Sequence, residues 1–240
     1  MRAEERHHLK RNEFAIRVAQ VTESMAAHRS QVVLGIIAVV VLIVAIAGYS
    51  WYRGRTSEKA GAMLGIAMTI YEAPIVPAPT VPGALQQAGT YPTQTARDEA
   101  ALTAFQQIID AYPSTTAGIA ARYHHAASLM ALGRLPEAER GFQAAIDAAG
   151  STVFGPMAKM GQAEVLVASG QFDKGVQMFE ALAADRDGML PVDGVLMQLG
   201  RAYEKAGKAA EARTAYKRVV DEFPDSLYVP QARTELVKLG

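Results

Sequence analysis

Three glycines, Gly133, Gly170 and Gly207, stand 37 residues apart, and each is followed nine residues later by an aromatic side chain, Phe142, Phe179 or Tyr216. A fixed period of this length constrains the chain more than its composition does. Each period is one structural unit, and a unit that cannot bury its apolar face alone must stack on the next. Small residues recur in the same frame: Ala126, Ala163 and Gly200 before the glycine, Ala138, Gly175 and Ala212 after it. They let the two helices of a unit approach closely. The aromatic residues fill the space between units, and the glycine supplies a turn where positive φ is cheap.

The clearest unit is Leu199-Gly200-x-x-Tyr203, then Gly207, Ala212, Tyr216, Val219 and Pro224. It resembles the tetratricopeptide pattern. A further unit is split. Ala101, Phe105, Ile108 and Pro113 repeat the spacing of Ala212, Tyr216, Val219 and Pro224. Its first helix is expected at 57–72, with Leu64-Gly65-x-x-Met68 in frame, and its second at 97–111. Between them, 74–96 holds Pro74, Pro77, Pro79, Pro82 and Pro92, and is expected to be a poorly ordered insertion. Leu227 to Leu239 reads as a last helix that caps the stack. The fold class is all-α: a single N-terminal transmembrane helix followed by a tetratricopeptide-type α-solenoid of about four helix pairs plus a C-terminal capping helix.

The transmembrane expectation rests on the uncharged run between Arg29 and Arg53. As a helix rising 1.5 Å per residue, it is long enough to cross a hydrocarbon core of about 30 Å. Residues 1–31 form a charged tail, 32–52 the span and 53–240 the repeat domain. Ala45-Ile46-Ala47 has the small-x-small form of a signal cleavage site, but the preceding segment and the apolar run are both long for a cleaved signal. A retained anchor is the better reading, with Tyr49, Trp51 and Tyr52 at the interface, backed by Arg53 and Arg55. Arg17 and Arg29 on one side and Arg53, Arg55 and Lys59 on the other leave the positive-inside count nearly tied. The commoner arrangement puts the tail inside and the C-terminal domain outside. Phe14, Val18, Val21 and Met25 share one face of a helix, either an amphipathic surface helix or an extension of the span.

Function classes narrow next. The formal net charge is zero, which argues against nucleic acid as a partner. No cysteine is present, so thiolate chemistry and disulfides are excluded. His7-His8 and His124-His125 are adjacent pairs that point in different directions on a helix, and read as surface or packing residues. Asp185-Arg-Asp187-Gly188 starts like a calcium loop but lacks the later ligands, and reads as a turn. No catalytic constellation is found, and neither an enzyme nor a cofactor is expected.

The useful surface is the concave groove lined by the first helix of each unit. The register puts Lys59, Ala62, Ile66 and Thr69 there, with Ala120, Tyr123, Ala127 and Met130 from the next unit. Met157, Met160, Glu164 and Val167 follow, then Met197, Arg201 and Glu204. Tyr123, Met130, Met157, Met160, Glu164, Met197, Arg201 and Glu204 are the expected protein-binding residues. Methionine is flexible and polarisable, and suits contact with varied apolar segments. It is also a common core filler, so the alternative is that several of these methionines pack against the neighbouring unit.

The whole arrangement resembles the ancillary SecYEG translocon subunits. It has a short charged tail, an apolar span ending in Trp51-Tyr52-Arg53, a helix with Ala60, Ala62 and Ala67, and then repeats. The resemblance implies a bacterial inner-membrane protein, single-pass, with its repeat domain in the periplasm. It implies translocon subunits, a periplasmic chaperone or peptidyl-prolyl isomerase and unfolded clients as partners, and membrane lipid around 32–52. The insertion at 74–96 departs from that family. Phe105 to Ser114 and Tyr216 to Ser226 also look like repeats of outer-membrane assembly and cell-envelope coordination proteins, so an envelope assembly or division scaffold is the alternative.

Overall fold

The computed structural model describes residues 29–80 and 85–240. The amphipathic helix expected around Phe14 to Met25, and the pair His7-His8, lie outside the described residues. The chain divides into two compact units, Met1–Arg55 and Thr56–Gly240. Helix α1, Arg29–Tyr71, belongs to both. In the first unit it is long and apolar enough to cross a membrane, with no side chain of its most apolar stretch buried in protein. Leu34, Val41, Leu42 and Val44 are each more than half exposed. Apolar groups on every side of a helix need an apolar surrounding that the described residues do not supply. The Arg55 guanidinium sits 4.7 Å above the Trp51 ring, a cation–π contact.

The second unit contains the rest of α1, then α2 (Gln94–Ala111), α3 (Thr116–Ala131), α4 (Leu135–Ala149) and α5 (Phe154–Ala168). It continues through α6 (Phe172–Ala184), α7 (Val192–Lys205), α8 (Ala209–Glu222) and α9 (Val229–Lys238). From α2 onward each helix packs on its neighbour in sequence, and α5 also touches both α3 and α7. The first helices of successive units therefore line one face, which is the solenoid arrangement expected from the period.

The turns are built as the glycine spacing predicts. Gly133, Gly170 and Gly207 have φ of 72°, 79° and 73°. Each closes the same double hydrogen bond. Gly133 N–H donates to the Met130 carbonyl at 3.0 Å and Arg134 N–H to Leu129 at 2.9 Å. Gly170 and Gln171 do the same to Val167 and Leu166, and Gly207 and Lys208 to Glu204 and Tyr203. This Schellman pattern satisfies carbonyls that the ending helix leaves bare.

Packing follows the small-residue frame. Ala126, Ala138, Ala163 and Ala212 are fully buried, as are Phe105, Phe142, Phe179 and Tyr216. A β-carbon on Gly175 would come within 2.5 Å of a Val167 methyl, and one on Gly161 within 2.5 Å of the Phe142 ring. The expected frame fails in the split unit. Gly65 has open space around it, while Ala67, two residues later, is fully buried against Ala101, Phe105, Ile108 and Ala121. Leu64-Gly65 matches the motif in letters, but the position that must be small is Ala67. Leu64, Met68 and Tyr71 accordingly turn toward the repeat core, and Lys59, Ala62, Ile66 and Thr69 are exposed.

The insertion between α1 and α2 is fastened at its base, on both sides of 81–84, which lie outside the described residues. Ile75 and Tyr91 form a parallel bridge. Val76 N–H donates to the Tyr91 carbonyl at 2.9 Å, Tyr91 N–H to the Pro74 carbonyl at 3.1 Å, and the Gln86 amide to the Val76 carbonyl at 2.9 Å. Pro74, Pro77 and Pro92 occupy positions where the bridge asks for no N–H donor, so they do not break it. At the far end, α9 buries Val229 and Ala232, and Leu236 and Leu239 pack beside them. Arg213 on α8 donates to the carbonyls of Leu239 and Gly240.

Candidate protein-binding groove

A cavity of about 520 Å³ opens on the face made by α3, α5 and α7. Its apolar lining is Met130 on α3, Leu135 on α4, Val167 and Ala168 on α5, Phe179 on α6 and Ala202 on α7. Its polar lining is Glu164 on α5 with Gln198, Arg201, Glu204 and Lys205 on α7. An apolar body with a few convergent polar groups is the general form of a binding site.

Of the residues expected in the groove, Met130, Glu164, Arg201 and Glu204 come together here, with Val167. Met197 does not. It is 1% exposed and packs among Leu196, Leu199 and Tyr216 in the core, so its assignment to the groove is corrected. Met160 is half-buried against the same core. Met157 is half-buried away from the cavity. Tyr123 belongs to an aromatic cluster instead, with ring centres 5.1 Å from His124 and 6.0 Å from both Phe142 and Phe154. Met130 is thus the methionine that reaches the cavity. Leu135, Phe179, Gln198 and Lys205 were not expected there. Gln198 and Lys205 lie three residues before and four after Arg201, on the same helix face, which is the signal that would have found them.

The charged groups are unequally engaged. The Tyr216 hydroxyl donates to Glu204. Arg201 Nη1 donates to the Gln198 amide oxygen at 3.2 Å. Burial pushes the Glu164 carboxyl above the ordinary carboxylate range, while Arg201 and Lys205 pull it back. Among the described residues neither Arg201 nor Lys205 has a carboxylate within ion-pair distance.

A second feature lies between the units formed by α1/α2 and α3/α4. The His124 ring stacks on Phe105 at 5.4 Å and 19°, with Tyr71 at 5.5 Å edge-on. Its Nδ1 is buried without a hydrogen-bond partner. Burial holds its pKa below the ordinary value, opposed by Glu72. It is a packing residue, as read from the sequence.

A model of the tetratricopeptide repeat-like domain matches residues 26–239. The chain belongs to that family. The match begins before the apolar helix and ends one residue from the last, so it takes in α1 through α9. No curated protein matches the sequence. Among solved structures, the fold is similar to the nearly identical TPR-like repeats of a candidate kinesin light chain from Podosopora anserina. That likeness has 15% identity, covers 76% of this chain and 86% of that one, and has a TM-score of 0.57. A single-substitution variant of the same protein gives 15%, 76%, 85% and 0.56. At this identity the likeness is one of fold. The tetratricopeptide fold is ordinarily a non-catalytic scaffold for binding other proteins.

Proposed function

We propose that this chain is a membrane-tethered adaptor that binds extended, partly apolar segments of other polypeptides in the groove between α3, α5 and α7. The cavity carries the reading: it joins first helices of three successive units and mixes an apolar floor with two carboxylates and two cations. The apolar stretch of α1 supplies the tether, because its side chains find no cover among the described residues. Tethering raises the effective concentration of the groove near one membrane face, so that weak binding suffices.

The finer reading places the repeat domain on the periplasmic side of a bacterial inner membrane, receiving chains at the Sec translocon and passing them to a periplasmic chaperone or peptidyl-prolyl isomerase. Its support is the resemblance of the tail, span and repeats to the ancillary translocon subunits. The alternative, a scaffold for envelope assembly or division, draws on the matched segments Phe105–Ser114 and Tyr216–Ser226. Two reporters fused after Gly240, one active only outside the cytoplasm and one fluorescent only inside, test the side. An inside signal removes the periplasmic account. Co-isolation with translocon subunits supports the first reading, and co-isolation with division or outer-membrane machinery supports the second.

A further inference from the structure

We infer that the contact between the α1/α2 unit and the α3/α4 unit is an acid-sensitive seam, at which protonation of His124 releases α2 while the helices that line the groove stay folded. The core is not continuous there. Ala67, Ala101, Phe105, Ile108 and Ala121 form one buried cluster, and Ala126, Leu129, Ala138 and Phe142 belong to the next. His124 stands at the join. Its ring meets Tyr71 of α1 and Phe105 of α2 from the first unit, Tyr123 of α3 from the second and Phe154 of α5 from the third, with ring centres 5.5, 5.4, 5.1 and 6.5 Å away. Its Nδ1 is buried with no partner among the described residues.

A neutral imidazole can leave one nitrogen as a bare acceptor. An imidazolium carries N–H on both, so protonation puts a charge and an unpaired donor among aromatic rings. Attraction of the cation to the Phe105 face offsets part of that cost. The surrounding groups do not supply the rest. Tyr71, Phe105, Tyr123 and Phe154 are uncharged rings. Glu72 of α1 favours the protonated ring, but it is exposed and burial outweighs it. Glu164 of α5 acts on Tyr123 beside it. The neighbouring His125 is acted on by Asp110 of α2 and by Arg134 and Glu137 of α4. Opening the seam lets both N–H groups of His124 reach water. In a stack where each unit is held by its neighbours, the first unit can open without the others. The groove is lined from α3 to α7 and takes no residue from α1 or α2, so it survives the opening. One proton sets the size of the response. With an ordinary histidine value in the open state, the opening constant rises at most about tenfold from about pH 7.5 to pH 5.5.

The test uses the full chain in detergent micelles and amide hydrogen exchange read by mass spectrometry, at about pH 7.5 and pH 5.5, corrected for the intrinsic pH dependence of exchange. Helix α2 is the reporter, because a released helix of its length is marginal in water. Its protection falls roughly five- to tenfold at the lower pH, while that of α7 and α8 holds. His124→Leu removes the fall, and His125→Gln keeps it. If His124→Leu does not fold, His125→Gln still decides, since His124 and His125 are the histidines of the described residues. No fall in α2, or a fall that His125→Gln abolishes, overturns the inference. An equal fall in every helix also overturns it, by making the response one of the whole domain.

Discussion

The ring of Tyr216 lies so close to Gly200 that a β-carbon on that glycine would fall among the ring atoms. The two residues belong to the two helices of one unit, α7 and α8, and Tyr216 is fully buried there. A helical glycine ordinarily weakens a helix. Here its missing side chain is what allows the aromatic ring to fill the core.

Gly200→Leu therefore overpacks the unit and destabilises the domain by on the order of 1–3 kcal/mol. Gly65, with open space around it, gives the opposite sign: Gly65→Ala stabilises by roughly 0.5–1 kcal/mol through helix propensity. Urea unfolding of the full chain in micelles, followed by circular dichroism, measures both.

The methionines divide in the same way. Met197→Ala removes a fully buried side chain and costs about 2–5 kcal/mol. Met130→Ala removes a side chain that lines the cavity and is only partly buried against the Ala126 and Phe142 cluster, so it costs less, about 1 kcal/mol, and also weakens peptide binding. Paired unfolding and titration experiments on the two variants separate core from groove.

The turn glycines carry a conformational cost of their own. Gly170→Ala forces a β-carbon into positive φ and destabilises by roughly 1–2 kcal/mol. A midpoint that does not move would show that the turn relaxes to another geometry.

Stability also depends on pH through His124 and its neighbour His125, both held below the ordinary histidine value by burial. The unfolded chain binds the proton more readily, so this contribution is present above about pH 6.5 and is lost as pH falls through the lower folded value. Tm drops between about pH 7.5 and pH 5.5, and His124→Leu makes the drop smaller. An unchanged slope in that variant assigns the effect elsewhere.

Most of the fold was legible because repeats announce themselves. Gly133, Gly170 and Gly207 had to be turns, and Phe142, Phe179 and Tyr216 had to be core, since each appears three times in one frame. The split unit was misframed for the same reason: Leu64-Gly65 copies the motif, but only burial distinguishes it from Ala67. The site was half legible. A fixed register assigns each position to one face, whereas a side chain such as Met197 is buried or open according to what the next unit places over it. Lys205 and Gln198 escaped because they fall outside the four register positions projected to the groove. The base of the proline-rich insertion escaped because its hydrogen bonds use the Pro74 carbonyl and the backbone of Val76 and Tyr91, none of which needs an N–H that a proline lacks.

The most direct measurement is site-specific photo-crosslinking in living cells. A photoreactive residue replaces Ala168 or Lys205 at the groove, or Gln143 or Gln177 on exposed faces of the second helices. The account predicts polypeptide adducts from the two groove positions and far fewer from the other two. Equal yields from all four, or adducts from Gln143 and Gln177 alone, would contradict it.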